Sequence, residues 1–99
     1  MNPFDLLKNA KALQDQFGKV QEELSDVSVT GSSGGGIVKV SLNGQFQMLG
    51  VSLDPIAVDS RDIPMLQDLI KAAHSDACDK VKEILKTKLG PMAGNFTGL

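Results

Sequence analysis

Apolar residues near the start of the chain fall at Leu6, Ala10, Leu13, Phe17, Val20 and Leu24, alternating steps of four and three over almost three heptads. That spacing returns to one side of a helix at every turn and predicts a helix over roughly residues 3–25. Asn2 before Pro3, with Asp5 three residues after the Asn, supplies a side-chain cap, a pre-set φ and a carboxylate for the free N–H groups of the first turn. The seam is narrow, closer to a coiled-coil contact than to the broad face of a helix sunk into its own domain, and it asks for a partner helix.

Between Ser25 and Asp54 the period changes to two: Val27 and Val29, then Val38, Val40 and Leu42, then Leu49, Val51 and Leu53. Three strands follow from this alternation. The stretch Thr30-Gly31-Ser32-Ser33-Gly34-Gly35-Gly36 reads as a mobile loop between the first two, and Asn43-Gly44 as the type I′ pair of a tight hairpin between the second and third. Consecutive hairpins make an antiparallel meander, covered on one side by the only available cover, the two helices.

Helical spacing resumes at Ile63, Leu66, Ile70, Ala73, Ala77, Val81 and Ile84, after the stop at Asp54-Pro55 and a connector through Arg61. Asp59, Ser60 and Asp62 are N-terminal caps, Pro64 fits the first turn, and Gly90-Pro91 ends the helix after Lys86 and Lys88 meet the negative end of its dipole. The expected span is roughly residues 62–89. The fold class is therefore α+β with the order α-β-β-β-α, a single domain over residues 1–90 and a loose C-terminal tail over residues 91–99.

Composition narrows the function classes. With 99 residues, 41 % hydrophobic and 22 % charged, the chain matches one globular domain and excludes a disordered tail or a disulfide-stapled mini-protein. Four Phe and no Tyr or Trp leave little to fill a centre, so self-association would help it. A single cysteine, Cys78, the lack of a signal-like apolar stretch and the lack of any membrane-length apolar run lead to the expectation of a cytoplasmic protein with no membrane contact.

The glycine cluster does not make a nucleotide site: Ile37-Val38 stands where a phosphate loop needs Lys-Ser/Thr, and a strand rather than a helix follows. His74, the only histidine, falls near the apolar arc of the second helix and reads as a packed or interface-edge imidazole; with Cys78 one turn away it offers two ligands where zinc needs three or four. Asp76 and Asp79 read as carboxylates on the helix's solvated side. No catalytic residues, cofactor or small-molecule substrate are expected.

Basic residues are more suggestive, although the net charge is −2. The last third of the second helix holds Lys80, Lys82, Lys86 and Lys88 against Glu83 alone, and wheel angles set Lys71, Lys82 and Lys86 on one stripe, a layout able to follow a row of phosphates. Asp68 and Asp79 lie near the same stripe, and late lysines also serve the helix dipole.

Read in order, the words of this sequence resemble the YbaB/EbfC family of bacterial nucleoid-associated proteins from about Leu7 to about Glu83. They are a Leu-Lys-x-Ala-x-x-Leu-Gln segment ending Gln21-Glu22-Glu23-Leu24, then Val29-Thr30-Gly31, Gly34-Gly35-Gly36-Ile37-Val38-Lys39-Val40 and Asn43-Gly44. Val51-Ser52-Leu53-Asp54-Pro55 and Met65-Leu66-Gln67-Asp68-Leu69-Ile70-Lys71-Ala72-Ala73, with Asp76-Ala77, complete the set. The resemblance implies a cytoplasmic, nucleoid-bound homodimer that binds double-stranded DNA with little sequence specificity, alters its conformation and bears on gene expression. Candidate phosphate contacts are Lys39, Lys71, Lys82 and Lys86. The candidate dimer seam is Leu6, Leu13, Phe17, Val20 and Leu24, or else the apolar arc of the second helix. The competing expectation is a dimeric module that binds another protein through the glycine loop or a helical seam.

Overall fold

The computed structural model describes residues 2–88. A helix α1 (Pro3–Asp26) leads into strands β1 (Ser28–Ser33), β2 (Val38–Asn43) and β3 (Met48–Leu53), then a 3-10 turn (Pro55–Ala57) and a second helix α2 (Ile63–Lys88). The strands form one antiparallel sheet in the order β1-β2-β3. Both helix starts are capped as the sequence indicates: Asn2 Oδ1 accepts the Asp5 N–H at 2.9 Å, and Asp62 Oδ1 accepts the Met65 N–H at 3.1 Å. The expected end at Gly90-Pro91 and the tail over residues 91–99 lie outside the described residues.

Val38, Val40 and Leu42 on the middle strand are wholly buried against Ala73, Ala77 and Val81 of α2, with Ala57 in the same cluster. Small residues allow so close an approach. A Cβ on Gly31 would lie 2.2 Å from both the Ala73 carbonyl oxygen and the Ala77 nitrogen, so only glycine lets the helix rest on the strand there. Polar groups then fasten α2 to β1. Asp76 Oδ2 accepts the Ser32 N–H at 3.0 Å, Lys80 Nζ donates to the Thr30 carbonyl at 2.7 Å, and Ser33 Oγ donates to the Leu69 carbonyl at 2.6 Å.

Four expectations change. The glycine stretch is not a seven-residue mobile loop: β1 runs on through Gly31, Ser32 and Ser33, and residues 34–37 make the turn, with Gly34, Gly35 and Gly36 all at positive φ and the Gly36 N–H bonded to Ser33 O at 3.0 Å. Asn43-Gly44 is not a type I′ pair either. Gly44 does not have positive φ; Phe46 does, at 63°, in a four-residue connection held by Asn43, whose Oδ1 accepts from the N–H groups of Gln45 (2.8 Å) and Gln47 (3.0 Å). The glycine at 44 answers a close approach instead, since its N–H donates to Leu24 O at 2.8 Å and a Cβ would stand 2.5 Å from that oxygen.

The third change concerns cover. Only α2 lies on the sheet, across β1 and β2; α1 meets the sheet at its last turn, where Leu24 is buried, and otherwise projects beyond it. With Val27 alone between α1 and β1, and Leu24 bonded to Gly44, the helix is directed onward from the strand rather than folded back over it. Fourth, Asp76 is not on a solvated side: it is half-buried at the sheet edge, while His74, expected near the packed arc, is exposed.

Candidate nucleic-acid interface

The buried positions of α2 fix its orientation. At 100° per residue, Lys71, Lys82 and Lys86 fall on the side opposite Ala73, Ala77 and Val81, and all three are exposed. Unbroken helix from Ile63 to Lys88 holds them in a row about 22 Å long, the rise of roughly six base pairs. The row is not purely positive. Asp68 and Asp79 share this side, and Lys86 Nζ stands 3.6 Å from Glu83 Oε1 in a pair that is largely exposed and so readily exchanged.

Lys39 lies elsewhere. It alternates with the buried Val38 and Val40, so its side chain leaves the sheet on the face away from α2, and one molecule cannot present it in the same row as the other three. Lys80 and Lys88 hold structure: Lys80 joins Thr30 and Asp76, and Lys88 lies 3.5 Å from Glu23 of α1. Lys39, Lys71 and Lys82 make no ion pair among the described residues.

Another basic set lies on α1, where Lys8, Lys11 and Lys19 occupy the side opposite Leu6, Leu13 and Phe17, exposed and without an ion pair among the described residues. Asp15 and Glu22 between them mask the set in the linear sequence; the wheel angle measured from the apolar seam is the signal that finds it.

Of the carboxylates, Asp76 is held below its ordinary value mainly by the Ser32 N–H, with the nearby Lys80 charge adding to the effect, and Asp59 is lowered by hydrogen bonds from the Arg61 side chain and backbone. Both groups are fully ionised at neutral pH and belong to the scaffold. Cys78 Sγ sits 3.7 Å from each ring nitrogen of His74, and no third histidine, cysteine or carboxylate joins them in a metal-binding group among the described residues. Among those residues, too, no helix is long and apolar enough to cross a membrane.

The sequences and folds most like this chain agree with one another. A nucleoid-associated protein of Syntrophobacter fumaroxidans is 44 % identical over 98 residues, covering 97 % of this chain and 89 % of that protein. One from Rhodococcus jostii is 42 % identical over 93 residues, covering 94 % and 82 %. The crystal structure of an uncharacterized protein from Helicobacter pylori matches with a TM-score of 0.80 at 25 % identity, over 94 % of this chain and 98 % of that one. The family model of the YbaB/EbfC DNA-binding family matches residues 1–96, nearly the whole of the α-β-β-β-α unit and its flanks, and the chain belongs to that family.

Proposed function

We propose that this chain is a nucleoid-associated protein of a bacterial cell that binds duplex DNA as a homodimer, through phosphates and with little sequence preference. The observation that carries the reading is membership of a DNA-binding family along residues 1–96, joined by relatives that are named nucleoid-associated proteins. The geometry supports a phosphate mode. The two helices are separated in sequence by the whole sheet, so they are not the tandem pair of a helix-turn-helix that would seat a reading helix in a groove. Lysines on an outward helix side position a protein on the backbone without reading bases.

Lys71, Lys82 and Lys86 are the proposed contacts, and each subunit of a dimer contributes one such row. With a net charge of −2 and two carboxylates on the row's own side, affinity rests on these few local contacts rather than on a long-range field. The test is affinity for a random duplex as a function of salt. Lys71→Ala and Lys82→Ala are each expected to flatten the log-log slope by about one unit, and Lys39→Ala to leave it unchanged. A complex insensitive to salt, or slopes untouched by both helix substitutions, refutes the reading.

A further inference from the structure

Two apolar surfaces of this chain are left open, and each has the shape the other needs. On β3, Leu53 pairs with Val38, Val51 with Val40 and Met48 with Leu42. Cross-strand partners share a face, so Met48, Val51 and Leu53 continue the same side of the sheet that α2 covers over β1 and β2. There the cover stops: these three side chains are between 40 and 52 % exposed. The second surface is the seam of α1, where Leu6, Leu13 and Phe17 are between 53 and 60 % exposed. From Leu6 to Val20 the seam is about 21 Å long by helical rise, and the six residues of β3 span about 20 Å.

We infer that α1 of a second copy lies along β3 beside α2, while α1 of the first copy does the same for the second. This rests on the homodimer reading above and deepens it. The chain's own α1 does not reach the shelf, because Val27 alone links it to β1, at the far side of the sheet from β3, and Leu24 is locked over Gly44. A helix in this place completes the second layer of the sheet, which α2 covers only in part. The occupant is apolar and uncharged at its contact, as the shelf demands, since residues 45–53 contain no charged side chain. By the exposures, the two equivalent contacts offer on the order of 1,000 Å² of apolar surface, close to the range of stable interfaces. Leu24, only 7 % exposed, already packs within its own chain, so the seam offered to the partner is Leu6, Leu13, Phe17 and Val20.

The alternative occupants make different cross-links. In a Cys78→Ser background, one chain carries Leu13→Cys at mid-seam and a differently tagged chain carries Val51→Cys at mid-strand; the two are mixed, unfolded and refolded together, and treated with a short bis-maleimide. A covalent pair containing one chain of each kind is expected, with each chain alone giving at least tenfold less product. Self-linking of the Leu13→Cys chain alone overturns the inference in favour of an α1-α1 seam, and self-linking of the Val51→Cys chain alone overturns it in favour of strand-edge pairing. Hydrogen exchange on the unsubstituted protein is the second measurement: protection of residues 6–20 should be lost together with the dimer on dilution, and protection that ignores dilution also overturns the inference. Sedimentation of the unsubstituted protein as a monomer at every concentration removes the dimer itself, whereas a dimer with the wrong cross-link leaves the dimer and the DNA reading standing.

Discussion

At Gly31 there is no room for a methyl group, because α2 brings the Ala73 carbonyl and the Ala77 nitrogen to where a Cβ would go. Gly31→Ala forces helix and strand apart at the centre of the core and is expected to cost about 2–3 kcal/mol, read as a lower urea midpoint at unchanged slope and fixed protein concentration. Asp76 acts at the same seam by charge. Its carboxyl is held below the ordinary value, first by the Ser32 N–H, so its ionised form stabilises the folded state above the unfolded-state value, and that contribution disappears as pH falls through the lower, folded one. The melting temperatures of the native chain and Asp76→Ala should therefore differ at pH 7 and converge below about pH 4. A gap that persists at pH 2 assigns the effect of Asp76 to packing. Neither role stands out in the linear sequence. Gly31 looks like one of a run of flexible glycines and Asp76 like a surface acid, because close approach and edge capping are made by residues more than forty positions apart.

Among the elements, α2 and the middle strand were legible because each buries its apolar set inside one chain: Val38, Val40 and Leu42 meet Ala73, Ala77 and Val81 as their periods require. The caps at Asn2 and Asp62 were legible for the same reason, since both are local. The seam of α1 was legible as a pattern but not as a placement. Periodicity gives the face to be buried and says nothing of which molecule buries it, and the two-helix cover failed on that point. The lysine row was legible as a stripe, but the separation of Lys39 from it needs the strand's facing, which only the buried valines on either side reveal. The α1 seam carries its own prediction. Phe17 is half exposed in the single chain, so Phe17→Asp leaves the core of Val38, Val40 and Leu42 intact. It should move the protein from dimer to monomer in sedimentation with little change in far-ultraviolet circular dichroism, and an unchanged mass would place the interface off α1.

The whole molecule is too extended for one chain to be its finished form. Its Cα radius of gyration is 19.0 Å, against about 13 Å for a compact chain of this length, and its long axis is 68 Å beside cross-sections of 24 and 18 Å. A projecting helix with an open apolar seam, on a sheet whose third strand lacks cover, couples folding to assembly, so the melting temperature should climb as protein concentration rises. DNA binding inherits the same coupling. Each subunit supplies one row of Lys71, Lys82 and Lys86, and the slope of log affinity against log salt counts the phosphates neutralised by the whole particle. Two rows joined by one interface bind as a unit, the second at an effective concentration set by the first. The double substitution Leu13→Ser with Phe17→Ser removes seam surface without adding charge and leaves every lysine in place. Its slope, measured by fluorescence anisotropy from about 50 to 200 mM salt, should fall to about half that of the native chain, with affinity falling far more than twofold. A monomer that keeps the full slope would mean that a single subunit makes all the phosphate contacts, and that dimerisation serves stability alone.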